Sequence, residues 1–149
     1  MLKNSFNKKS SELLNSLKEK YDVKTLRKIK FDNLMVLVDF ISNYKPKSKI
    51  KKEEDILEYL NIISSKNLEK VDRNEISILE KDYIYPFINR FMKYGFRYRF
   101  AWVYISLFVL VFDLIFFSLT DFFIPVFSGL YIVNALRKEI VSYKESKLW

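Results

Sequence analysis

Apolar positions follow two different rules along the chain: up to Gly95 they recur every three or four residues among charged ones, and beyond it they run together. Leu13, Leu14, Leu17 and Tyr21, then Leu26 and Ile29, keep a helical spacing interrupted around Asp22 and Val23, which predicts one or two amphipathic helices. Between Phe31 and Tyr44, Leu34, Leu37, Val38 and Ile41 fall at i, i+3, i+4 and i+7, with Met35, Val36 and Phe40 widening the stripe. This stretch is the best candidate for a buried helix, and Asp32 and Asp39 make it too polar for a membrane span. The next helix opens with Glu53, Glu54 and Asp55, where the N-terminal dipole favours carboxylates, and buries Ile56, Leu57, Leu60 and Ile63. Ser64, Ser65 and Asn67 mark a break. Another period, Leu68, Val71, Ile78, Leu79 and Tyr83, precedes Pro86, which can begin a helix because its missing N–H is not needed in the first turn. That helix carries Phe87, Ile88, Phe91 and Met92, and Gly95 supplies a bend. Without an Asn-Gly or Asp-Gly hairpin signal, residues 1–95 are expected to form a small all-α region.

From Phe100 to Leu119 the chain reads FAWVYISLFVLVFDLIFFSL, one charge in about twenty residues, and at 1.5 Å per residue such a helix covers the roughly 30 Å hydrocarbon core of a bilayer. A second apolar run, FFIPVFSGLYIVNAL, follows from Phe122 to Leu136. It is short for a span, but its helix can continue through Arg137 toward Tyr143. Thr120 or Asp121 can cap it, and Pro125 lies near enough to its start to be tolerated. The pattern predicts a transmembrane hairpin over 96–137, with spans at about 100–119 and 122–136, and a short helical tail over 138–149. A turn this tight makes the two helices antiparallel and leaves no room for a sizeable outer domain.

Charge sharpens that topology. Arg90, Lys93, Arg97 and Arg99 precede the hairpin, Arg137, Lys138, Lys144 and Lys147 follow it, and the turn holds no Lys or Arg. Under the positive-inside rule both ends lie in the cytoplasm of a bacterium or in the mitochondrial matrix. Tyr94, Phe96, Tyr98, Trp102, Tyr104 and Tyr143 form an expected interfacial aromatic belt on that side. Two competing structures are a buried helical hairpin of a soluble protein, for which so small a chain has little covering material, and a strand over 96–104, against which the unbroken apolar run argues.

The whole chain has 149 residues and a net charge of +8, enough for one domain or for a small domain with a membrane segment. Residues 1–30 are basic and residues 53–82 acidic. Between them NYKPKSKIKK concentrates Lys45, Lys47, Lys49, Lys51 and Lys52 around Pro46, a solvated linker or a contact for an anionic partner. No early apolar run precedes a small-residue cleavage site, which argues against a cleaved secretory signal. The excess of Lys, Asn, Ile, Phe and Tyr, with two Gly and few Ala, marks an AT-rich genome; in composition it resembles certain bacterial proteins and those encoded in protist mitochondria.

His and Cys are both absent, which removes the commonest general base, the thiolate nucleophile and the usual transition-metal ligands. Gly95 and Gly129 cannot make a phosphate-binding loop, and Glu53, Glu54, Asp55 and Glu58 suit the helix dipole better than a hard metal. No catalytic, cofactor or metal site is expected, and the chain does not read as an enzyme.

Asp113 is the sharpest single residue, because an ionised carboxylate inside a span must be protonated, paired or turned to protein or water. Folding the hairpin about Thr120 and Asp121 sets it level with Ser128 and Gly129. Ser106, Asp113 and Thr120 recur every seven residues as a polar seam expected to pack on Ser128, Gly129 and Ala135, with Asn134 as a further polar contact. A proton or ion relay is the rival role. The partners expected are therefore the bilayer and other membrane subunits, with anionic lipid favoured over nucleic acid for the basic segments because the aromatics are not interleaved with them. The resulting expectation is a structural or accessory subunit of a membrane complex, a respiratory or ATP-synthase assembly if the composition is organellar. The alternative is a tethered module recruiting a soluble partner, nucleic acid or anionic lipid through its N-terminal helices.

Overall fold

The computed structural model describes residues 2–44, 52–120 and 125–149. Its elements are all helical: α1 (Leu2–Lys20), α2 (Val23–Lys28), α3 (Phe31–Asn43), α4 (Lys52–Ser65), α5 (Arg73–Leu79), α6 (Tyr85–Phe91), α7 (Ala101–Thr120) and α8 (Pro125–Lys144). They divide into two compact units, Met1–Arg90 and Phe91–Trp149. Lys45, Lys47, Lys49 and Lys51 lie outside the described residues, as does the side chain of Lys52, which opens α4, and as does Asp121.

In the first unit α1 packs on α3 and α4. Its buried positions Phe6, Ser10, Leu14, Leu17 and Tyr21 fall three or four apart and so share one face. Ser10 does not interrupt that face, because its hydroxyl donates to the Phe6 carbonyl at 2.8 Å within the same helix. Asp22 divides α1 from α2 by accepting from the Thr25 amide at 2.8 Å, an N-cap that stops one helix and starts the next. Tyr21 ties this corner to the turn after α4: its hydroxyl donates to the Lys66 carbonyl at 2.8 Å and accepts from the Leu68 amide at 3.4 Å. The α3 stripe Leu34, Leu37, Val38 and Ile41 is buried throughout, while Met35 at its edge is exposed.

Two expectations change here. The run from Arg73 to Phe91 is continuous, because a π-helical turn, Glu80–Ile84, joins α5 to α6. The amide of Tyr85 accordingly reaches back five residues to the Glu80 carbonyl. The wider turn stands immediately before Pro86, where a regular helix would meet a ring clash and a missing donor. Within α5 Ile76 is buried and Ile78 is exposed, so the buried face runs through Ile76, Glu80 and Ile84. Leu68 is buried in the turn before α5, outside any helix.

The π-helical turn also delivers a buried ion pair. Glu80 keeps only 4% of its side-chain surface and accepts from Lys30 Nζ at 2.6 Å. Lys30 holds left-handed backbone (φ 50°) between α2 and α3, which costs a non-glycine residue roughly 1 kcal/mol. Burial pushes the Glu80 carboxyl up, and the Lys30 ammonium holds part of that rise back. Tyr59 of α4 lies in the same region, fully buried. Burial and the nearby Glu80 both push its phenol above the ordinary tyrosine range.

The Tyr59 hydroxyl has no hydrogen-bond partner among the described atoms. Leaving such a group buried costs about 1–3 kcal/mol. Tyr59→Phe should therefore hold or raise stability, by about 1 kcal/mol, with the ring packing kept. Thermal unfolding of the two proteins measures this, and a clear fall in midpoint would show that the hydroxyl is bonded.

Candidate functional site

In the second unit α7 and α8 pack side by side and run antiparallel, since Phe100 and Trp102 at the start of α7 meet Glu139 late in α8, and Asp113 meets Ser128 near its start. Among the described residues α7 alone is long and apolar enough to cross a membrane, with a mean hydropathy of 2.3 and none of that window buried. Of the expected second span, residues 125–136 form the first part of α8, and 122–124 lie outside the described residues. Arg137, Lys138 and Glu139 interrupt its apolar character, and the expected separate C-terminal helix is simply the end of α8.

The base of the pair is built by the chain on either side of it. Met92–Tyr94 forms a 3₁₀ turn closed by Gly95 at φ 95°, a conformation glycine adopts without strain. Residues 97–99 then lie beside 147–149: the Arg97 amide donates to the Lys147 carbonyl at 3.1 Å and the Trp149 amide to the Arg97 carbonyl at 2.8 Å. This single bridge is all that remains of the strand alternative over 96–104. Phe96 is buried against Phe91, so it does not belong to an interfacial belt, whereas Tyr94, Tyr104 and Tyr143 are exposed.

Glu139 holds α7 in place. Its carboxylate accepts from the Phe100 amide at 2.8 Å and the Trp102 amide at 3.4 Å. These belong to the donors a helix start leaves without partners, and the dipole there favours negative charge. Phe100 adopts φ 63°, which an aromatic residue tolerates only when its surroundings fix it. One helical turn further on, buried Ser142 donates to the Gly95 carbonyl at 2.6 Å. Sequence reasoning missed both residues, since an acid and a serine behind a basic pair carry no motif; only the antiparallel register brings them to the base of α7.

Midway along the pair, Ser128 donates a short hydrogen bond to the Asp113 carboxylate. Both line an open groove of about 570 Å³ with Tyr104, Phe108, Phe112 and Tyr131. Ser106 and Thr120 donate to carbonyls of their own helix, Trp102 at 2.7 Å and Phe116 at 2.8 Å. Gly129 is no point of close approach, because a Cβ there would meet nothing within 4 Å. Asn134 is exposed and lies instead by a cavity at the base, beside Arg97, Arg137 and Lys138. Arg90, Lys93 and Arg99 are exposed. Arg97 is half-buried, its guanidinium donating to the Met92 and Phe96 carbonyls at 2.5 and 3.0 Å.

Chemically, the groove offers one carboxylate with one hydroxyl partner among aromatic and aliphatic walls. That arrangement can bind a polar group carried on an apolar surface. Among the described residues no three acidic side chains converge to hold a metal ion.

A double-mutant cycle on Asp113→Ala and Ser128→Ala should return a coupling of about 0.5–1.5 kcal/mol, with Asp113→Asn retaining most of it because an amide oxygen still accepts. Detergent unfolding followed by circular dichroism measures the cycle, and additive losses would show that the bond contributes nothing. Compared with known proteins, the chain matches no protein-family model, no curated protein sequence and no solved structure.

Proposed function

We propose that the chain is an integral membrane protein, anchored by α7 and α8 as a transmembrane hairpin, and that it serves as a non-catalytic accessory subunit of a larger membrane complex. The observation that carries this reading is α7, which has no buried residue in its twenty. Tyr104, Phe108, Leu114 and Leu119 are each more than 60% exposed. Each large apolar side chain left in water forgoes about 1.5–3 kcal/mol, and soluble monomers rarely expose contiguous apolar patches beyond a few hundred Å². The core helix of a soluble protein matches α7 in length and composition but is covered by its own chain. Hydrocarbon covers α7 without help from the rest of the molecule.

Antiparallel spans leave both flanks on one side, and the cations of those flanks assign it to the cytoplasm or matrix. The apolar part of α8, residues 125–136, rises only about 18 Å, short of the ~30 Å core. Snorkelling of Arg137 and Lys138 and local thinning of the bilayer accommodate the difference.

Asp113 supports the subunit role. A carboxylate in an open groove at membrane depth is costly unless protein or water covers it, and one serine hydroxyl meets only part of that need. A neighbouring span laid against the groove supplies the remaining cover. The chain should accordingly resist alkaline extraction and copurify in mild detergent with a partner at fixed stoichiometry. Release by alkali would contradict the anchor. Extraction as an isolated monomer would contradict the subunit role and favour the tethered module, with residues 1–90 recruiting a partner.

A further inference from the structure

At the base of the helix pair lies a cavity of about 280 Å³ lined by Gly95, Arg97, Asn134, Arg137, Lys138, Val141 and Ser142. The five α8 residues stand at spacings of three, one, three and one, so they share one helix face. Three of the seven residues are cations, and the wall between their charged ends is largely apolar. Arg97 enters with its guanidinium already anchored on the Met92 and Phe96 carbonyls, which fixes its plane and leaves donors for a ligand. Arg137 and Lys138 are exposed.

Among the described residues no acid forms an ion pair with Arg97, Arg137 or Lys138. Glu139 is committed to the amides of Phe100 and Trp102, and Glu145 is paired with Lys147 at 2.7 Å. Ser142 closes the back wall by bonding the Gly95 carbonyl at 2.6 Å, which holds the segment that carries Arg97 against α8. The cavity is near the lower limit for a small-molecule site, sized for a headgroup and not for a whole lipid. Its position completes the picture. Arg97 stands four residues before α7 begins, and Arg137 follows Leu136, the last residue of the second apolar run.

We propose that this cavity binds the phosphate of an anionic phospholipid headgroup. Arg97 supplies paired N–H donors to the phosphate oxygens, Arg137 and Lys138 supply flanking charge, and Asn134 donates to a glycerol or headgroup oxygen. The acyl chains run from there along the apolar sides of α7 and α8. This assignment rests on the membrane reading, because only a bilayer places phosphates at this depth.

The test is native mass spectrometry of the full chain released from nanodiscs of phosphatidylcholine alone or of phosphatidylcholine mixed with phosphatidylglycerol. The chain should enter both and retain one phosphatidylglycerol in preference to phosphatidylcholine. Arg137→Gln/Lys138→Gln, two exposed substitutions, should lower that retention about tenfold. Lys93→Gln/Lys144→Gln, an equal loss of charge outside the cavity, should lower it far less. Equal loss in the two variants would overturn the site, since diffuse surface attraction would then explain retention. Displacement of the lipid by inorganic phosphate at matched concentration would overturn the lipid as ligand and assign a free anion. Entry into neutral nanodiscs without headgroup preference overturns this proposal alone, whereas failure to enter any nanodisc overturns it together with the membrane anchor. Circular dichroism of each variant confirms that helicity is retained.

Discussion

The exposed surface of α7 sets the terms for everything else in the second unit. A helix that is apolar on every side has no preferred face to bury, so its orientation cannot come from amphipathicity. Polar contacts must provide it, and they occur at two heights. Glu139 receives the amides at the start of α7, and Ser128 bonds Asp113 about three turns further along. Between them these contacts fix both the register and the rotation of α7 against α8. In a low-dielectric surrounding each gains strength, and the loss of either partner leaves a polar group stranded. The same contacts explain the bend at Gly95, the left-handed Phe100 and the pairing of residues 97–99 with 147–149: all of them bring the start of α7 to the carboxylate that receives it.

The first unit is organised differently. Its helices are amphipathic, so burial alone aligns the faces of α1, α3 and α4, and polar contacts serve mainly at the corners. Asp22 separates two helices and Tyr21 ties them to the turn beyond α4. The exception is Glu80, a buried acid whose partner Lys30 comes from fifty residues earlier. A pair of this kind contributes little net stability, because desolvation offsets attraction, but it penalises any packing that separates the two charges.

Much of this was legible in the order of residues. The α3 stripe needed only helical periodicity, and the apolar run of α7 needed only its length. Asp113 could be set opposite Ser128 by counting outward from Thr120, because antiparallel helices with a short connection share one depth scale. What stayed hidden depended on non-local geometry. The π-helical turn at Glu80–Ile84 was one such feature, since no periodic template contains an extra residue, and Ile76 rather than Ile78 is the buried position of α5. Glu139 looked like one more charge behind a basic pair until the register placed it under α7. Gly129 showed the converse failure: a small residue in an apolar helix suggests close approach, yet this one faces open space because rotation about α8 was set by Ser128 and Glu139.

The central claim is that α7 and α8 cross a bilayer as a hairpin with both flanks on one side. The chain contains no cysteine, so single cysteines report without interference from native thiols. Cysteines introduced at Ser11, Thr120 and Ser146 in sealed, oriented vesicles should react with a membrane-impermeant maleimide from one side at Ser11 and Ser146, and from the other side only at Thr120. Labelling of all three positions from the same side would contradict the account.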